Sequence, residues 1–424
     1  MPERPFIRWA TNTMEDTGKM LTRVGVPVAS EAEHSGPEAE PTTLICFSHL
    51  RWNFVFQRPQ HLMCRFSREM NVIYWEEPTD IGPRETAYLQ VREVSDAPNV
   101  RLVVPHLPQG MPDDAREATL KRLLDAHLAS IRGPLIAWYY TPMMLPFSRH
   151  IDPDVTVFDA MDELSKFKFA PEHLLDLEQE LIDRADVVFT GGSSLYEAKK
   201  DRHDNVHCFP SSVDRAHFCK ARVGQFEPAD QEDLPRPRLG FYGVIDERFD
   251  TELLEQVAAM RPDWSLVMVG PVVKIAEEDL PKRPNIHYLG GKTYDQLPVY
   301  LSGWDVALMP FAMNESTQFI SPTKTPEYLA GGRPVVSTPI TDVVRHYGHL
   351  EGVKIAATAD EFVAACEAAL ELSRNRNGGW LAEADLMLSA VSWDTTQARM
   401  AGLIADVLGL RTGAANPALL VAAE

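Results

Sequence analysis

Ser321-Pro322-Thr323-Lys324-Thr325-Pro326-Glu327-Tyr328-Leu329-Ala330-Gly331-Gly332-Arg333-Pro334-Val335-Val336-Ser337-Thr338 reads in order as a loop, a short helix, a glycine stop and a buried strand. Ser321 or Thr323 caps the helix, Pro322 sits near its start, and glycine ends it. The same alternation runs outward in both directions. Apolar runs at 239–242, 266–269, 286–289, 306–309 and 334–337 read as strands, and helical spacing follows at 358–374 and 394–409. In the first half, strand-like runs fall at 43–47, 71–75, 101–104, 135–139, 155–158, 187–189 and 206–209. Helical patterns occupy 113–131 and 171–184. Strands alternating with helices imply parallel sheets covered on both faces.

A chain of 424 residues exceeds what one core serves, so two domains are expected. The predicted fold class is α/β, with two Rossmann-like doubly wound parallel-sheet domains facing a cleft. Residues 1–40 are polar and acidic and read as a disordered arm. A first domain covers 41–220, a charged, proline-bearing linker 221–237, and a second domain 238–392. A helical segment at 393–410 and a tail at 411–424 complete the organisation. Lys and Arg number 41 against 61 Asp and Glu, a net charge of −20, which speaks against nucleic-acid binding. The five cysteines lie far apart with no CxxC, so neither a disulfide framework nor a zinc site is expected. No apolar run approaches the ~18 residues of a membrane span. The expectation is a cytoplasmic protein, with peripheral contact at the inner membrane face left open.

Ligands of open parallel sheets bind beyond the carboxyl ends of the strands. Gly243 and Gly270 follow the first two strands of the second domain, where glycine lets backbone approach a ligand; the plain alternative is an ordinary turn. The helix start after Ser321 favours a diphosphate, Lys324 adds a positive charge, and Glu327 one turn on suits a pair of ribose hydroxyls. The alternative is a capped surface helix with both side chains solvated.

These residues resemble the donor-binding signature of GT-B glycosyltransferases of the family-4 (group 1) type, in which a Glu on this helix holds the nucleotide ribose. The run 181–190 resembles that family's acidic helix and Ala-Asp-Val-Val strand. Residues 211–218 resemble its Asn-Gly-Val-Asp-x-x-x-Phe turn, with Ser211-Ser212 in place of Asn-Gly. Ser392-Trp393-Asp394 resembles the start of its last helix, which crosses back onto the first domain. The resemblance covers about 43–410. It implies a nucleotide-sugar donor in the second domain, held by Gly243, Arg248, Gly270, Ser321, Thr323, Lys324 and Glu327, and a saccharide or lipid-linked acceptor on the first. No cofactor beyond the nucleotide-sugar co-substrate and no metal are expected. Two departures stand out: Phe319 occupies the place of a second Glu, and Leu253 the place where a Lys follows Arg248. Arg248 is also placed to pair with Asp246 or Asp250.

The block 48–61, Ser-His-Leu-Arg-Trp-Asn-Phe-Val-Phe-Gln-Arg-Pro-Gln-His, follows the first strand and is similar to the N-terminal loop of a bacterial cell-surface-polysaccharide subgroup. Arg51, Trp52 and Arg58 are its expected acceptor contacts; the alternative is a loop core with Arg58 capping it. Asp159, Asp162 and His61 are the expected catalytic groups, with His49 and His106 as further histidines. Helix capping is the other role open to Asp162. A sugar-nucleotide epimerase of the same fold and a non-catalytic binding subunit are the rival functions.

Overall fold

The protein is described here by a computed structural model covering residues 40–168, 170–224, 226–375 and 379–412. The expected arm, Glu40 apart, and the tail beyond 412 lie outside the described residues.

The first sheet contains β1 (Thr43–Phe47), β2 (Asn71–Trp75), β3 (Thr79–Ile81), β4 (Tyr88–Val94), β5 (Ala97–Pro108), β6 (Leu135–Tyr139), β7 (Val155–Ala160), β8 (Val187–Thr190) and β9 (Val206–Cys208). Its order is β3-β5-β2-β1-β6-β7-β8-β9, with β4 pairing antiparallel to β5. That hairpin departs from the all-parallel expectation. The alternation of a strand, with both faces covered, explains why β1, β2 and β6 are apolar throughout, apart from Thr43 and Asn71 at the starts of the first two. Leu44, Cys46, Val72, Tyr74, Ile136 and Trp138 enter the core on one face. Ile45, Phe47, Ile73, Trp75, Ala137 and Tyr139 enter the core on the other.

The first face is covered by the helix Arg58–Phe66 and by the last helix, Trp393–Thr412. From the last helix Trp393, Met400, Ala401, Ile404 and Leu408 are buried there, spaced as one helical stripe. Each large apolar side chain so buried contributes about 1.5–3 kcal/mol. The helix thus belongs to the core of the first domain although it follows the second in sequence.

The second sheet contains β10 (Arg238–Tyr242), β11 (Ser265–Val269), β12 (Ile286–Tyr288), β13 (Val306–Met309), β14 (Val335–Ser337) and β15 (Val353–Ile355), in the order β12-β11-β10-β13-β14-β15. Every pairing in it is parallel. The chain leaves β10 to one side for β11 and returns on the other for β13, so the crevice of this domain opens between β10 and β13. The mostly exposed segment 226–237 is anchored through Gln231, which is fully buried, donates to the Tyr300 carbonyl (3.0 Å) and accepts from the Trp304 indole (2.9 Å).

The two halves touch through specific polar contacts. Asp342 accepts hydrogen bonds from the Ser193 and Ser194 backbone N–H groups (2.8 and 3.0 Å), and Ser193 pairs with His346 (2.8 Å). Ser211 donates to the Ser321 carbonyl (2.5 Å). Within the first domain, Ser212 pairs with Thr396 of the last helix (2.7 Å).

Candidate active site in the interdomain cleft

On the second domain, β10 ends in Tyr242 and β11 in Val269, each followed by glycine. Gly243 and Gly270 have φ of 144° and 151°, a region that L side chains rarely enter. Both positions are also filled. A Cβ on Gly270 would lie 1.7 Å from the Gly243 carbonyl oxygen, and one on Gly243 would lie 2.2 Å from Cε of Lys324. These glycines therefore bring two strand ends together beneath the Lys324 side chain.

Lys324 opens the helix Lys324–Ala330. Its ammonium lies 5.8 and 6.0 Å from the ring centroids of Phe241 and Phe311, and burial pulls its pKa down. Glu327 is 5% exposed and accepts a hydrogen bond from the Tyr242 hydroxyl (2.9 Å). Burial pushes its carboxyl up to about 7, against the pull of Lys324 and of hydrogen bonds from Tyr242 and Thr323. Tyr328 faces the core and accepts from the Tyr242 N–H (3.0 Å). The expected capping is corrected here: Thr323 occupies the N-cap position without a side-chain cap bond, and Ser321 is engaged with Ser211 across the cleft.

Arg248 forms a bidentate pair with Asp246 (2.7–3.1 Å), and its guanidinium lies 5.4 Å from the Phe167 ring of the first domain. Asp162 is half-buried. Burial raises its carboxyl to about 6 while Arg248 and Lys274 of the opposite domain pull it down, so it is the acidic group of the first domain that faces the donor side.

The other expected catalytic groups do not reach the cleft as free acids or bases. Asp159 is fully buried and Arg58 is 3% exposed; Arg58 donates to both Asp159 oxygens (2.9 Å each) and to the Phe209 carbonyl (2.8 Å). Each satisfies the other, so neither the catalytic role for Asp159 nor the acceptor role for Arg58 fits. His61 is buried, stacked on Trp393 at 4.7 Å, and burial holds its pKa well below the ordinary value. It is a packing residue between the Arg58–Phe66 helix and the last helix. Trp52 packs edge-on against Tyr74 (4.9 Å), and its backbone N–H donates to Glu76 (2.8 Å), so its ring supports the loop from within. Arg51 stays partly exposed beside Glu76 (2.9 Å). Phe54 and Phe56, rather than Trp52, are the exposed aromatics of the loop, and Phe56 lies 4.7 Å from Tyr294 of the second domain. His61 also meets the second domain, its ring 5.3 Å from that of Tyr294. Burial of His49, with Lys274 adding to it, lowers it to about 4. His106 stacks on Tyr88 in the β4–β5 hairpin.

Tyr242, Phe167 and Lys274 were not picked out from the sequence. Tyr242 had a signal, as the last residue of a strand on the cleft rim; the other two are brought in by loops with no distinguishing pattern. The assembled wall offers cations, a pair of glycine turns and a carboxylate able to accept two hydroxyl hydrogen bonds.

The chain is similar to known glycosyltransferases in sequence and to solved structures in fold. Residues 236–372 match the family model described as Glycosyl transferases group 1. The chain is 26% identical over 259 residues to the putative teichuronic acid biosynthesis glycosyltransferase TuaH of Bacillus subtilis (strain 168); the alignment covers 55% of this chain and 63% of that protein. The sucrose-phosphate synthase of Thermosynechococcus elongatus superposes with a TM-score of 0.62 at 16% identity, over 89% of this chain and all of that one. HepE of Anabaena, solved in complex with UDP, superposes with a TM-score of 0.56 at 12% identity, over 86% of this chain and all of that one. The fold is GT-B.

Proposed function

We propose that this chain, a group 1 glycosyltransferase by the match of its residues 236–372, moves a sugar from a nucleoside-diphosphate sugar to a saccharide or lipid-linked acceptor. The observation that carries the reading is the Lys324–Glu327 pair: Glu327 is held by Tyr242 (2.9 Å), and Lys324 lies over the Gly243 turn. A carboxylate in that setting accepts from two vicinal hydroxyls, and the cations beside it suit a diphosphate. The likeness to TuaH favours an acceptor of cell-surface polysaccharide synthesis, and the UDP bound to HepE makes uridine a natural first nucleoside to try.

In this reading the leaving diphosphate is stabilised by preorganised side-chain charge and backbone N–H groups, with no divalent metal and no cofactor besides the sugar nucleotide. Asp162 lies on the first-domain side and orients the acceptor hydroxyl or takes its proton. The reaction is placed on the cytoplasmic side, with peripheral contact at the inner membrane face where lipid-linked acceptors lie. No helix among the described residues is long and apolar enough to cross a membrane.

The test is a thermal-shift screen of UDP-, GDP- and dTDP-sugars, since a ligand that binds the folded state raises the melting point by mass action. Assay of nucleoside diphosphate release then follows for whichever donor binds. Release in the presence of an acceptor supports transfer. An altered sugar with the diphosphate retained indicates an epimerase, and binding without turnover indicates a binding subunit.

A further inference from the structure

The second domain's cleft wall carries three acidic groups, Asp246, Glu247 and Glu327, and Arg248 is already spoken for by Asp246. A diphosphate needs more positive charge there than Arg248 and Lys324 supply. Leu253, at the place where the family resemblance leads one to look for a lysine, is 7% exposed and lies in the hydrophobic core of the helix Thr251–Met260. No side chain at that position reaches the cleft without leaving the core.

A cation arrives from a different loop. Lys274 follows β11, and that loop is laced to the one after β10: Ile245 N–H donates to the Pro271 carbonyl and Val273 N–H to the Ile245 carbonyl, both at 3.0 Å. The lacing brings Lys274 and Arg248 to one place. The Lys274 ammonium lies 4.9 Å from the centroid of the Phe167 ring, and the Arg248 guanidinium 5.4 Å from the same ring. Lys274 has φ 61°, the one positive value at a non-glycine among the described residues, so the loop holds it in a conformation that costs a lysine energy. Its ammonium is 3.2 Å from Glu247, whose other carboxylate oxygen is buried without a hydrogen-bond partner among the described residues. With Lys274 counted, three cations (Arg248, Lys274, Lys324) face three carboxylates; without it the wall is net negative.

Resting on the reading of the second domain as the donor site, we propose that Lys274 is a diphosphate-binding residue of that site, taking the part that Leu253 cannot play. Phe167 and Glu247 hold the ammonium in place before the donor arrives. The first domain's Phe167 thereby contacts the same cations that the diphosphate will engage, so donor binding and the position of the 164–168 loop are linked.

Removing the ammonium alone leaves Glu247 as a buried, unpaired charge, so Lys274→Ala is a poor test. The informative variants are Lys274→Met combined with Glu247→Gln, and Lys274→Arg. UDP, GDP and dTDP are titrated calorimetrically against each, beside uridine, guanosine and thymidine. For whichever diphosphate binds the wild type, the double variant is expected to lose at least tenfold in affinity while binding the corresponding nucleoside as before. Lys274→Arg is expected to stay within threefold of wild type. Diphosphate affinity unchanged in the double variant overturns the assignment, as does an equal loss for nucleoside and diphosphate, which would mark a structural role. A wild type that binds none of the three diphosphates sinks the donor-site reading itself, and the inference falls with it.

Discussion

The Arg58–Asp159 pair separates two accounts of the first domain. Arg58 is 3% and Asp159 0% exposed, and the guanidinium donates three hydrogen bonds: two to the carboxylate and one to the carbonyl of Phe209 at the end of β9. Truncation to Arg58→Ala strands a buried carboxylate and a buried carbonyl. Breaking such a pair costs about 3–5 kcal/mol, the larger part being the uncompensated charge. At ~2–4 °C per kcal/mol for a domain of this size, the melting point should fall by roughly 6–20 °C. Asp159→Asn should cost less, because the amide oxygen still accepts one bond. The double change Arg58→Met with Asp159→Leu should recover most of the loss, since no charge is left behind. The assay is urea unfolding followed by tryptophan fluorescence, which Trp75 and Trp138 in the same domain report. If Arg58→Ala unfolds within about 1 kcal/mol of wild type and instead raises the acceptor KM, the pair is a binding device and the structural account is wrong.

Glu327 supplies a pH test. Its folded pKa of about 7 lies above the ordinary 4.5, so between those values the folded protein holds a proton that the unfolded chain has lost. Its contribution to stability therefore falls as pH rises from 4.5 to 7. Donor binding should strengthen over the upper part of that window as the carboxylate forms, and Glu327→Gln should flatten both profiles; a wild-type binding curve flat from pH 5.5 to 8 would count against the ribose role. Asp342→Ala removes the acceptor for two backbone N–H groups of the other domain, at a cost of about 0.5–2 kcal/mol. Small-angle scattering should then show a more open particle, and an unchanged radius of gyration would mean that the contact does not hold the halves together. Turnover should survive EDTA; activity that vanishes and returns with Mn²⁺ would revive a metal-dependent mechanism.

Sequence reading placed the central strands well because they are buried on both faces: 43–47, 71–75, 135–139 and 306–309 coincide with β1, β2, β6 and β13. It missed β4, whose positions are exposed or half-exposed and carry no clean alternation, and the three-residue strands β3 and β15. The donor-side motif was legible because Lys324 and Glu327 share one short helix, so their relation is local. The first-domain site was not. Arg58 and Asp159 are 101 positions apart, and a charged residue at a helix start or near a strand end looks alike in sequence whether it faces a ligand or another charge. Trp52 reads as an acceptor contact for the same reason: an aromatic loop gives no sign of which ring turns inward, and here Phe54 and Phe56 are the exposed ones.

The last helix sets an order for biosynthesis. The first sheet leaves the ribosome early, yet the face that carries Leu62, Phe66 and Trp138 stays uncovered until Met400, Ile404 and Leu408 have been made, after the whole second sheet. The domain synthesised first is therefore the last to be finished. During that interval a nascent chain shows a broad apolar surface to chaperones and to its neighbours, and a chain released before the helix is made carries that surface permanently.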